Sequence, residues 1–422
     1  MSRSANRLTS IACFAMLLTL AACGGGGGGG AVGPVDVLYF DGNDGVHGEE
    51  LWKTDGTAAG TVMVKDINAT AAGANSFPSA FTVMNGLVYF QSDDGIHGAE
   101  LWKTDGTAAG TVMVKDINTS SPSASSFPNG FTVFNGALYF AADDGVNGTE
   151  LWKTDGTSAG TVMVVDINTS SPSAGSSPNG FTVFNGALYF AANDGVNGKE
   201  LWKTDGSAAG TVMVKDINTT GANEGSSPEG FTVFNGALYF VADDRLTGPG
   251  LWKTDGTEAG TVMVTTPGTF SPIGHMIVFN NALYFAALDS VHGTELWKSD
   301  GTDAATGRLK DINTSSPSAS SFPEGFTVFN GALYFSADDG VNGTELWKTD
   351  GTSAGTVMVK DINGTAAGAG SNPASLAVLD GVLYFAANDG VNGSELWKTD
   401  GTEAGTVRVT DLCPGACNGV DG

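Results

Sequence analysis

The sequence predicts an all-β fold, an eight-bladed β-propeller of four-stranded antiparallel blades, on three observations. First, one unit recurs eight times: Trp52, Trp102, Trp152, Trp202, Trp252, Trp297, Trp347 and Trp397 are all 8 tryptophans, spaced 50 residues apart except for one interval of 45. A fixed period of this size announces a repeat architecture. Second, the 8 tyrosines are equally regular, each in a Leu-Tyr-Phe or Val-Tyr-Phe triplet from Tyr39 to Tyr384. Third, no window has helical periodicity of adequate length, whereas each unit reads as short extended runs between turn-rich segments.

The third unit gives the elements in order. Phe131–Phe134 and Ala137–Ala142 are extended runs separated by Asn135-Gly136, a dipeptide that favours a type I′ hairpin because both central residues need positive φ. A turn-rich link, Asp144 to Gly148, leads to a third run, Glu150–Thr154. Asp155 to Gly160 turns into a fourth, Thr161–Val165, and a Ser/Pro/Asn/Gly stretch joins the next unit. Four-stranded units repeating eight times fit a propeller, whose blades leave only short, protected edges. A linear solenoid wants atypical capping repeats at its ends, and here the end copies match the middle ones. Trp and Tyr once per blade read as inter-blade packing, since each large aromatic buries about 150–250 Å².

Closure by strands from both termini is expected. The Tyr-Phe and Leu-Trp runs occur in all eight units, but the Phe-Thr-Val-Phe run is clear in only seven, starting at Phe81, Phe131, Phe181, Phe231, Met276, Phe326 and Leu376. Ala31 to Pro34 is a poor strand, so one blade is expected to draw strands from both ends, or else Val32 to Val37 is a worn first strand. The propeller is assigned to residues 35–412.

The two ends carry other signals. Arg3 and Arg7 precede an apolar run, Ile11 to Ala22, too short to span a bilayer comfortably. Residues 1–22 therefore read as a leader, and Leu20-Ala21-Ala22-Cys23 resembles the lipobox of bacterial lipoproteins, which implies lipidation at Cys23. Residues 23–34 include Gly24 to Gly30, a flexible tether. Gly rather than Asp after the Cys resembles lipoproteins sent to the outer membrane. Residues 413–422 form a tail in which Cys413 and Cys417 are expected to form a disulfide clip at the seam.

The chain carries 19 basic against 45 acidic residues, a formal net charge of −26, and losing Arg3 and Arg7 with the leader leaves −28. That balance disfavours nucleic acid and anionic headgroups as partners. Membrane association is expected through the lipid alone, on a monomer.

The Glu-Leu-Trp-Lys-Thr-Asp-Gly-Thr-x-x-Gly-Thr string resembles the bacterial ELWxxDGT repeat family over residues 35–412. That resemblance implies an exported propeller of unassigned function. Two units depart from it: Gly250 replaces the Glu in the fifth, and Thr306-Gly307-Arg308 reorders Gly-Thr-Val in the sixth. The segment from Ala192 to Trp202 is also similar to the tryptophan-docking motif of quinoprotein dehydrogenase propellers. It lies one hairpin too early, however, and reads as convergent turn chemistry.

Candidate chemistry centres on the acidic turns. Asp94, Asp144, Asn147, Glu150, Asp194, Asp339 and Asp389 are closely spaced oxygen donors of the kind Ca²⁺ takes. The spacing is not that of an EF-hand, and Asp, Asn and Gly are also what tight turns require. Turn formation is therefore the primary reading, with calcium the alternative and no other cofactor expected. Three of the four histidines, His47, His97 and His292, stand where other units have Asn. The strongest departure from the repeat, residues 241–289, contains Arg245 and His275, which would belong to any unique site. A catalytic site is asymmetric and these units are near-identical, so no catalytic residue is assigned and a non-enzyme is expected. The function expected is a cell-surface or outer-membrane lipoprotein acting as a binding or scaffold module, with envelope polysaccharide or an envelope protein as partner. One alternative resembles the propeller lipoprotein of outer-membrane protein assembly; another is a hydrolase or quinoprotein-type enzyme.

Overall fold

The computed structural model describes residues 37–266, 270–415 and 418–420. The leader, Cys23, the glycine tether and Cys417 lie outside the described residues. Eight antiparallel sheets form the blades of an eight-bladed β-propeller; seven have four strands, and the first has three, Leu38–Asn43, Glu49–Thr54 and Val62–Lys65. The third blade is typical: Asn129–Phe134, Ala137–Asp143, Thr149–Thr154 and Val162–Val165 pair in chain order. Its hairpin has the expected backbone, with φ of 48° at Asn135 and 78° at Gly136.

The Leu-Tyr-Phe-Ala-Ala strand is apolar at every position because both of its faces are buried. Successive side chains point to opposite sides. Leu138, Phe140 and Ala142 pack with Tyr89 and Leu101 of the preceding blade, while Tyr139 and Leu151 pack with Leu188 and Phe190 of the following one. Trp152 belongs to the first of these interfaces.

Each hydrophobic cluster of this kind joins two adjacent blades, and there is one for every blade. An open row of eight units has seven interfaces. The additional one joins Tyr384, Leu396 and Leu379 of the eighth blade to Leu38, Phe40 and Trp52 of the first, so the ring is closed. The first strands of successive four-stranded blades contact one another and form the innermost layer.

A polar stitch repeats at the same interfaces. Lys53 Nζ donates to the Gly106 carbonyl of the next blade at 2.9 Å, Lys103 to Gly156 at 2.9 Å, and across the seam Lys398 to Gly56 at 3.4 Å. The glycine of Asp-Gly-Thr is required twice over. Gly56 has φ +86°, and a β-carbon there would lie 2.0 Å from Tyr384 Oη.

Among the described residues the seam is closed by chain from both ends through an isolated bridge rather than a full strand. Val420 bridges Gly42, Gly419 accepts from Asn43 N at 2.9 Å and donates to the Ser394 carbonyl at 2.9 Å, and Asn418 Oδ1 accepts from Ser394 N at 2.9 Å. These bonds copy the link between the first and second blades. There Ser76 N donates to the Glu49 carbonyl at 2.8 Å, Asp93 N donates to the Ser76 carbonyl at 2.9 Å, and Asn75 Oδ1 accepts from Glu49 N at 3.0 Å. The described part of the C-terminal tail is therefore built as an inter-blade link that reaches the first blade.

Candidate functional site

Antiparallel order puts the Asp-Gly-Thr turn of every blade, and the Asn-Gly-type hairpin of each four-stranded blade, at one end. The Asp-Asp-Gly turns and the inter-blade links lie at the other. This second end carries the acidic residues singled out from the sequence.

In each such turn the carboxylates are engaged by the turn's own backbone. Asp144 Oδ1 accepts from Val146 N at 2.9 Å and Asn147 N at 2.8 Å, and its Oδ2 accepts from Asn147 Nδ2 at 2.8 Å. Asp194, Asp339 and Asp389 repeat the pattern. Partial burial acts to raise the Asp144 pKa, but the amide donors outweigh it and hold the carboxyl below its ordinary range. At Asp94 the same place is taken by His97, whose Nδ1 lies 2.8 Å from Asp94 Oδ2, and His47 and His292 do likewise with Asp44 and Asp289.

Glu150 does not join this turn. It is fully buried and accepts from Ile167 N at 3.0 Å, Ser176 N at 2.7 Å and Ser176 Oγ at 2.6 Å, all in the link to the next blade. Among the described residues, no group of three or more His, Cys, Asp or Glu side chains is arranged to share a metal ion. The donors grouped by the sequence as one calcium set are thus divided between a surface turn and a buried anchor.

The buried glutamate is a residue type that sequence reasoning missed as a unit. Glu50, Glu100, Glu150, Glu200, Glu295, Glu345 and Glu395 are all fully buried. Desolvation pushes Glu50, Glu100 and Glu395 up to about 7, against the hydrogen bonds they accept. The fifth blade explains itself on this basis. Its inter-blade link lacks the Lys-Asp-Ile-Asn segment that a glutamate anchors in the other blades; Gly250 stands there, with Met263 and Thr265 lying where a side chain would extend and Thr265 Oγ1 accepting from Leu251 N at 3.2 Å.

Arg245 and His275 are both exposed, and among the described residues no hydrogen bond or ion pair joins them. Arg245 has φ 60° and its Nη1 lies 3.4 Å from Asp243 Oδ2, while His275 sits on the long innermost strand Ser271–Phe279. The irregular fifth and sixth blades do flank an open, shallow pocket of about 270 Å³ between Thr247–Pro249 and Phe270, Ser271 and Leu288–Ser290. At the seam Cys413 is buried and disulfide-bonded. It follows Glu395 at the interval at which Asn68 follows Glu50.

A second feature was not apparent in the sequence. The residue after each Asp-Asp-Gly-type turn core is aliphatic and stands out from the surface: Val46, Ile96, Val146, Val196, Leu246, Val291, Val341 and Val391 are 56–76% exposed. The signal was present as a hydrophobic residue at a fixed turn position in every unit, but a turn valine in one unit is unremarkable alone.

No protein-family model matches the chain, and no curated protein matches it. Solved structures do. The computationally designed Ika8 protein is 13% identical over 81% of this chain and 89% of its own, with a TM-score of 0.47. A prolyl endopeptidase is 11% identical over 78% of this chain and 49% of its own, at 0.50. A Mycobacterium tuberculosis puromycin-hydrolyzing peptidase is 10% identical over 81% and 55%, at 0.51. The chain thus spans about half the length of the peptidases it matches, and at these identities the likeness shows the propeller fold alone.

Proposed function

We propose that this protein is a non-enzymatic binding or scaffold module of the cell envelope, lipid-anchored through Cys23 in the manner of the lipobox it resembles. The observation that carries the reading is the equivalence of its blades. The same acidic turn and aliphatic tip are presented around the whole ring, and the residues of the repeat motif are engaged in turns, links and inter-blade contacts. A surface repeated in this way suits repeated weak contacts, in which avidity rather than one site provides affinity. Envelope polysaccharide and envelope protein are the partner classes, and the surface rather than the fold points to them, since the fold hosts many activities.

The test is binding of the mature chain to fractionated envelope polysaccharide and envelope protein, with turn substitutions introduced into one, two or four blades. Graded loss with blade number is the expected result. Abrupt loss from a single change, with the others silent, would mean an asymmetric site and overturn the reading.

A further inference from the structure

We propose that the ring face bearing the Asp-Asp-Gly turns docks a basic, apolar segment of a partner protein, with the eight aliphatic tips as its contact points. This rests on the binding-module reading and adds the face and the partner's chemistry. The tips are presented by rigid turns. Asp194 Oδ1 holds the Val196 amide at 2.9 Å, and the Val196 carbonyl accepts from Asn223 N at 2.7 Å, as Val291 does from Ser318 N at 2.9 Å. The side chains are therefore held outward by bonds to the backbone on both sides of the residue. A pre-ordered surface loses little entropy on binding.

A second, independent feature lies at the same end. Phe77, Phe127 and Phe322 are 53%, 60% and 58% exposed on the inter-blade links, each with φ of 46–48°. Positive φ costs a bulky side chain about 1–3 kcal/mol. In other links the corresponding positions are Ser177 and Ser227, also at positive φ, so the fold itself needs no phenylalanine there. Exposed aromatic groups in strained backbone thus share one end of the ring with the exposed aliphatics, and apolar groups gathered on one face are of the sort that marks interaction sites.

Charge selects the occupant. Each tip is flanked by a turn aspartate, and the chain as a whole is strongly acidic, at −26. A second copy placed face to face would set carboxylate against carboxylate, and an anionic lipid surface would be repelled in the same way. A segment alternating lysine or arginine with large apolar residues satisfies both the tips and the carboxylates.

Fluorescence anisotropy with two labelled peptides, one alternating Lys and Leu and one alternating Lys and Ser, tests this against the mature chain. The Lys/Leu peptide is expected to bind at least about tenfold tighter than the Lys/Ser peptide, equivalent to about 1.4 kcal/mol. The combined variant Val146→Ser, Val196→Ser, Val341→Ser, Val391→Ser is expected to lose about tenfold, and Phe77→Ser with Phe127→Ser and Phe322→Ser to weaken binding in the same direction. Val162→Ser, Val212→Ser and Val357→Ser, on the outer strands, are expected to leave binding unchanged. The phenylalanine variant keeps the test valid if the tip variant misfolds, because serine already occupies that place in two links. Equal affinity for both peptides, or parental affinity in both face variants, overturns the proposal. If envelope polysaccharide still binds in that case, the binding-module reading stands without it; if nothing binds, both fall.

Discussion

At the scale of single residues, the glutamate of Glu-Leu-Trp organises seven of the eight blade junctions, the fifth blade having Gly250 instead. Its carboxylate takes backbone and hydroxyl donors from a link some 17 to 26 residues later, as Glu50 does with Ile67 N at 2.6 Å and Ser76 Oγ at 2.7 Å. Glu150→Ala would leave several buried donors without acceptors, at about 1–3 kcal/mol each. Chemical denaturation should show a loss of about 3 kcal/mol, with Glu150→Gln retaining most of the stability. A loss confined to a few tenths would remove the anchor role.

These buried carboxyls also set a pH dependence. Glu50 moves from 4.5 unfolded to about 7 folded, so its contribution to stability is fully present below pH 4.5 and is lost as pH rises through about 7. The turn aspartates are shifted the other way from 3.8. Their contribution is present above that value and is lost as pH falls through their lower folded pKa. The melting temperature is therefore expected to rise as pH is lowered from 8 to 5 and to fall again below about 4. Glu50→Gln combined with Glu100→Gln should flatten the upper limb, and an unchanged slope would argue against these groups. Calcium calorimetry addresses the turn carboxylates directly. Engaged by their own amides, they are expected to give no saturable heat, whereas stoichiometric uptake would show that an ion displaces those donors.

At the scale of elements, the C-terminal tail matters beyond its length. It places Val420 in the seam core, supplies Leu412 N to Glu395 Oε2 at 3.0 Å, and supplies Gly419 to both flanking blades. Truncation after Asp411 removes a buried valine, worth about 1.5–3 kcal/mol, and takes a donor from a buried carboxylate at about 1–3 kcal/mol. Thermal unfolding should shift down by several degrees, and limited proteolysis should begin at the first blade. Cleavage starting elsewhere at an unchanged rate would show that the seam does not depend on the tail.

At the scale of the whole molecule, closure makes equivalent positions unequal. Gly56→Ala and Gly156→Ala meet the same obstacle, a tyrosine hydroxyl of the preceding blade at 2.0 and 2.2 Å from the new β-carbon. At Gly156 the two blades are also joined through the chain. At Gly56 they are the first and last blades, which are held together by packing, the Lys398 bond and the tail. Both changes should destabilise by at least about 2 kcal/mol, from positive φ and crowding together. Only the seam variant is expected to broaden the unfolding transition in calorimetry, and equally sharp transitions would count against the seam as the weak point.

The repeat, the strand order within a blade and the hairpin turns were legible in the sequence alone, because these depend on neighbours in the chain. Asn135-Gly136 needs no distant partner to adopt positive φ, and Trp or Tyr once per unit already implied a repeated interface. Tertiary structure alone decided the rest. Glu150 and Asp144 lie close in sequence, yet one turns inward to a link and the other outward to its own amides. The glycine of Asp-Gly-Thr owes its place to a tyrosine about 67 residues earlier, as Tyr89 stands to Gly156. The tail imitates a link from which it keeps only Asp411-Leu412 in place of Asp-Ile and an asparagine, Asn418, in the role of Asn75. In the same way, eight turn valines become one surface only when the ring sets them at a common end, since burial and exposure depend on which blades meet.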